Sequence, residues 1–151
     1  MVGFVGSSTI PRFVTGALVK LASEFRVNQT QSITDVVTRT CAGDLMLLKH
    51  TSLVVITKAG SRTLGVTVPG FRAFSVEFGY CGYPGCRSEP GDVMVKTNRR
   101  VHLACSRCGW HSLWLAAEQF DFLTSVGPAH PRVFWAPYPL LPTQQLAFIE
   151  A

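Results

Sequence analysis

Two cysteine pairs, Cys81-x4-Cys86 and Cys105-x2-Cys108, stand eighteen residues apart, and no other feature constrains the fold of this chain so tightly. Four thiols at such spacing bind a metal, close two disulfides or do redox chemistry. A tetrahedral zinc takes two ligands from each of two Cys-x2-4-Cys turns, provided both turns lie at the same end of a hairpin. The intervening residues meet that condition. VMVKT and VHLAC flank Asn98-Arg99-Arg100 and read as a hairpin that returns the chain to its starting point. Gly109 directly follows the second pair, where the absence of a Cβ lets backbone N–H groups close on the sulfurs. Gly82, Pro84 and Gly85 serve a similar bend in the first pair.

The two alternatives need surroundings the sequence does not supply. Disulfides require an oxidising compartment. The first 26 residues lack a compact apolar stretch behind a basic start, so they read poorly as a secretory signal. A redox Cys-x-x-Cys should open a helix, whose dipole lowers the thiol pKa, whereas GWHSLWL after Cys108 reads as a strand. The expectation is a structural Zn2+ held by Cys81, Cys86, Cys105 and Cys108.

Residues 81–115 resemble a zinc ribbon, whose second knuckle typically reads Cys-x-x-Cys-Gly, matched here by Cys105, Cys108 and Gly109. The resemblance covers about a quarter of the chain. The first knuckle departs from the commonest two-residue spacing, which leaves His102 and His111 as alternative donors in place of one thiolate. The related β-tent fold of methionine sulfoxide reductase B and its non-catalytic relatives also uses two cysteine pairs. Its reductases need a further catalytic cysteine after the metal pairs, and this chain has none beyond Cys108. A zinc deaminase needs His-x-Glu ahead of Pro-Cys-x-x-Cys; no His-x-Glu occurs, and Ala104 precedes Cys105. Four cysteines fill a zinc shell that catalysis would keep open for water. Nothing resembles a Ser-His-Asp arrangement or a phosphate-binding glycine loop, so a non-catalytic protein is expected. The fifth cysteine, Cys41 in RTCAGD, reads as a small buried residue.

The remainder predicts a mixed α+β fold, mainly antiparallel sheet, forming a single domain over 1–151 with 80–115 as a ribbon-like subregion. Phe13, Val14, Ala17, Leu18, Leu21, Ala22 and Phe25 recur with a helical period, and Pro11 suits a first turn, which predicts a helix over 11–26. From Ile33 to Cys41 helix and strand compete: Ser32 and Asp35 resemble a capping box, while Val, Thr and Ile fit a strand. LMLLKH, SLVVITK, TLGVTV, AFSVEFGY and HSLWLA read as strands, and a short helix covers 117–123. Five prolines in 127–142 predict an extended segment, laid across the domain by Phe134, Trp135 and Tyr138, since each ring left in water costs about 1.5–3 kcal/mol. A short C-terminal helix follows from Thr143 to Glu150.

Charge is where partners are read. The formal net charge is +5, with eight basic and three acidic residues in 1–76 and one basic and three acidic in 113–151. A basic body favours anionic partners. Lys96, Arg99, Arg100 and Arg107 surround the metal region with Trp110 and Trp114 interleaved, which predicts nucleic-acid contact. The rival expectation is a protein–protein adaptor that presents Phe134, Trp135 and Tyr138 as an extended strip. A disulfide-bonded secreted protein ranks behind both. No apolar run reaches the roughly 20 residues of a membrane span. The expected location is intracellular, in cytoplasm or nucleus. Mitochondria are the alternative, because no acidic residue precedes Glu24.

Overall fold

The computed structural model describes residues 1–5, 11–70, 72–78, 81, 83–89, 91–98 and 100–150. It is a mixed α+β structure, mainly antiparallel sheet, with helices near both ends. Helix α1 (Pro11–Val27) is followed by α2 (Ile33–Cys41), α3 (Leu45–His50) and strands β2 (Ser52–Thr57) and β3 (Gly60–Val66). Strand β1 (Val2–Val5) precedes them, β9 (Val133–Pro137) and β8 (Thr124–Ser125) complete the sheet, and α4 (Pro142–Glu150) ends the chain. The five strands run in the order β1-β2-β3-β9-β8, every pair antiparallel.

Strand β9 explains how the molecule is layered. Its side chains alternate: Val133 and Trp135 enter a core with Leu21, Val37, Leu47 and Leu48 of the helices, while Phe134 and Ala136 enter a second core on the opposite face. That second core holds Val95 and Leu103 of the hairpin, Leu115, Phe120 and Phe148 of α4. The Trp135 indole N–H also donates to Thr38 Oγ1 at 2.9 Å, tying α2 to the sheet.

Local chemistry decides the ambiguous segments. Ser32 caps α2 by accepting from the Asp35 N–H, and Val36, Val37 and Cys41 form its buried stripe. Helix wins there. LMLLKH is a correction: it is α3, not a strand, because Asp44 caps it by accepting from Leu47 N–H at 2.9 Å. Leu47 and Leu48 are buried side by side while Leu45 and Met46 are exposed, a helical pattern that no alternating strand could give.

AFSVEFGY is a second correction. Gly79 and Tyr80 lie outside the described residues, and the rest falls not in one strand but in two short ones, β4 (Arg72–Ala73) and β5 (Val76–Glu77), joined by Phe74 and Ser75 at φ 50° and 73°. Positive φ at both central residues makes this a hairpin turn of the kind usually built from Asn and Gly. Ser75 Oγ anchors it by donating to the Phe134 carbonyl at 2.8 Å, and Phe74 N–H donates to Thr67 Oγ1 at 3.1 Å. Gly65 makes the close approach possible, since a Cβ there would sit 3.1 Å from Ser75 Cβ.

HSLWLA forms no regular strand: it meets β7 at the isolated bridges Ala104–His111 and Val101–Leu115 and through Ser112, whose N–H donates to the Leu103 carbonyl at 3.0 Å while its Oγ accepts the Leu103 N–H and donates to the Leu113 carbonyl. The helix expected over 117–123 shrinks to a 3-10 turn at Ala117–Gln119. The segment 127–142 is extended as expected over β9, whereas β1 went unforeseen. No helix among the described residues is long and apolar enough to cross a membrane.

Candidate metal centre

The hairpin β6 (Val93–Asn98) and β7 (Arg100–Cys105) pairs in full register from Val93–Cys105 to Asn98–Arg100. Val93, Val95, Val101 and Leu103 are buried in the second core, so one face of the hairpin is fixed. This brings the chain leaving β7 back beside the chain entering β6, and the two cysteine pairs meet. The four sulfurs all lie within 4.8 Å of one another. Cys81 Sγ is 3.6 Å from Cys108 Sγ, and Cys86 Sγ is 3.9 Å from Cys105 Sγ.

Those separations fit a metal. Four sulfurs at about 2.3 Å from a tetrahedral zinc stand about 3.8 Å apart along each edge. A disulfide brings its sulfurs to about 2.05 Å, and all five cysteines carry free thiols. Four soft donors gathered this closely can hold a metal ion. His102 and His111 stand outside the cluster, with their rings 5.8 Å apart.

The turns that carry the thiols are built by backbone contacts. Gly109 adopts φ 75° and its N–H donates to the Cys105 carbonyl at 3.0 Å, closing the second knuckle after Cys108. Cys105 N–H donates to the Trp110 carbonyl at 2.8 Å. Gly85 takes φ 82° just before Cys86, whose N–H donates to the Tyr83 carbonyl at 3.1 Å. Three polar residues that the cysteine spacing does not point to complete the frame. Ser88 Oγ accepts from Cys81 N–H at 2.6 Å. Asp92 Oδ2 accepts from Glu89 N–H, while the Asp92 carbonyl accepts from both the N–H and the hydroxyl of Ser106, joining the two knuckles.

The electrostatics separate the thiols. Burial pushes the Cys81 thiol up to about 12 and also raises Cys86. The N–H of Cys108, helped by that of Arg107, brings Cys105 down to about 7 against the opposing effect of burial. The Tyr83 N–H also donates to Cys81 Sγ at 3.3 Å. A divalent metal bound among these thiols would favour their ionised forms. Cys41, by contrast, is 1% exposed at the end of α2, outside the cluster, and burial raises it to about 11 with Asp44 adding to the rise.

The basic residues are distributed unevenly. Lys96 is exposed and stands opposite His102 across the hairpin. Arg107 is half-exposed, 3.7 Å from both Glu89 and Asp92, so part of its charge is offset. Arg99 lies outside the described residues, as does the side chain of Arg100. Trp110 leans on the second core, but Trp114 is 47% exposed with its ring 4.4 Å from that of His102. Of the aromatic strip, Phe134 and Trp135 are 6% and 5% exposed within β9, and Tyr138 alone reaches the surface at 39%. No protein-family model, curated protein or solved structure matches the chain.

Proposed function

We propose that the protein is a non-catalytic binding protein whose four-cysteine centre is a zinc-ribbon-type structural Zn2+ site, and that its hairpin contacts nucleic acid. Cys81, Cys86, Cys105 and Cys108 would supply a complete thiolate shell, leaving the metal no position for water. Bound there, zinc supplies folding energy and pins two turns; it performs no reaction. Thiolates of this kind persist in a reducing compartment, so the reading places the protein inside the cell, in cytoplasm, nucleus or mitochondrion.

The observation that carries the nucleic-acid reading is the outward face of the hairpin. Lys96 and His102 are opposed in register and so share a face. Trp114 lies against His102 on that face with nearly half its surface open. Burial lowers the His102 pKa, with Lys96 and His111 adding to the effect, so the ring facing Trp114 is neutral at physiological pH. An exposed indole beside a lysine offers a stacking surface for a base together with a cation for its phosphate. Arg107, Arg99 and Arg100 would add phosphate contacts. The adaptor reading keeps only Tyr138 of its three aromatics at the surface, so it ranks second.

Fluorescence anisotropy with single- and double-stranded oligonucleotides at two salt concentrations tests this. The expected result is binding that falls steeply with salt and weakens about ten- to hundredfold in Trp114→Ala, the usual worth of one stacked base. No binding at low salt would remove the nucleic-acid reading and leave the adaptor.

A further inference from the structure

On the reverse side of the same strip of chain lies a cleft of about 420 Å³, within the size range of small-molecule sites. Val101 and Leu115, which exchange backbone hydrogen bonds at 3.2 and 2.6 Å, form one wall, and their immediate neighbours His102 and Trp114 make the outward face. At its base the cleft reaches Phe74 and Phe134, 5% and 6% exposed, with rings 5.3 Å apart and nearly perpendicular. Phe74 sits in the strained turn at φ 50°, a conformation that costs about 1–3 kcal/mol and tends to be kept where a side chain must be held for a ligand.

The polar lining is sparse and divided by charge. Arg132 and Glu118 are both exposed, and neither has an ion-pair partner among the described residues. The Arg132 carbonyl is fixed by Thr67 N–H at 2.9 Å, which anchors the residue at the cleft. Thr67 Oγ1 accepts from Phe74 N–H, and its own proton has no partner among the described residues. The cleft therefore offers an apolar lining, one cation, one carboxylate and one free hydroxyl donor.

We propose that this cleft takes a single unstacked nucleotide, in an inference that rests on the nucleic-acid reading above. The base packs against the apolar wall of Val101 and Leu115 and the edge of Phe74 and Phe134 that the cleft reaches, its polar edge meets Glu118 and Thr67, and its phosphate meets Arg132. A phosphate beside Glu118 would be repelled, which fixes the orientation. A carboxylate only accepts hydrogen bonds, so Glu118 favours bases that carry an amino group: adenine, cytosine or guanine. Uracil offers a single N–H and should be the poorest. A strand that stacks one base on Trp114 can thus place another on the far side of the same edge, which a duplex cannot do without unpairing.

The test titrates zinc-replete full-length protein with AMP, CMP, GMP and UMP, and separately with a single-stranded oligonucleotide, following chemical shifts by NMR. Arg132→Gln and Glu118→Gln are compared with wild type, with zinc content and melting temperature as controls. The expected result is saturable binding of the amino-bearing nucleotides about tenfold tighter than UMP. Arg132→Gln should weaken all four about tenfold, the worth of one charge-assisted hydrogen bond, and Glu118→Gln should level the preference among bases. An oligonucleotide that binds while mononucleotides do not, or mononucleotides that bind equally to the Arg132 and Glu118 variants, would overturn the cleft assignment and leave the hairpin reading standing. Failure of both probes would remove the two together.

Discussion

At Cys105 two backbone N–H groups pull the thiol down to about 7, while burial holds Cys81 near 12. Metal binding would therefore release protons, Cys81 and Cys86 among their sources, and lowering the pH should return them. Zinc affinity is expected to fall steeply as pH drops below neutrality, with more than one proton taken up per zinc lost. A chelator competition across pH 5 to 8 that found flat affinity would contradict this.

Cys41 behaves differently. Its folded pKa of about 11 lies above the ordinary 9.0, so the fold favours the neutral thiol. The stabilisation is complete below the unfolded value and is lost as pH rises towards 11. Relative to Cys41→Ala, the wild type should lose stability between pH 9 and 11, read from denaturant midpoints. A constant difference across that range would be the wrong result. At neutral pH, four thiols should react with a thiol reagent once a chelator is added, and Cys41 only after denaturation.

Among the elements, the second knuckle depends on Gly109, whose φ of 75° costs an L-residue about 1–2 kcal/mol. Gly109→Ala should weaken zinc binding about five- to thirtyfold, and Gly109→Asn less, since Asn tolerates that conformation. Equal affinity in all three proteins would mean that the knuckle is not strained by a side chain. The sheet has its own tight point. Gly65→Ala would press a Cβ to 3.0 Å from Ser52 Oγ and 3.1 Å from Ser75 Cβ, and Ser75 cannot easily yield because its turn is already strained. A loss of about 1–3 kcal/mol is expected, the range for overpacking a filled core, measurable by urea denaturation.

These two glycines also mark what sequence could disclose. Gly109 was readable because its role is set by the residue before it. Gly65 was not, because Ser75 meets it only after two hairpins have formed. The same division separates α1 from LMLLKH. A seventeen-residue helix leaves a periodic stripe, but six apolar-rich residues fit either period until Asp44 caps them. The Phe74-Ser75 turn carries neither Asn nor Gly, so nothing local announced it.

Over the whole molecule, the four-cysteine cluster was legible because hairpin pairing alone brings the thiols together. The cleft draws on residues from 67 to 134 and on the sheet order, and no spacing encodes that. The two cores predict how the protein answers to loss of metal. The helices and β2, β3 and β9 bury Leu47, Leu53, Leu64 and Val133 without help from the knuckles. Zinc removal should abolish amide protection around residues 83–89 and 105–111 while most of the sheet stays protected in hydrogen exchange. Global unfolding on chelation would mean that the metal holds more than its own turns. Elemental analysis of protein purified without added metal, paired with intact mass under non-reducing conditions, tests the zinc site most directly. One zinc per chain is expected, with five free thiols after its removal. Protein with no bound zinc and a mass lowered by two intramolecular disulfides would contradict it.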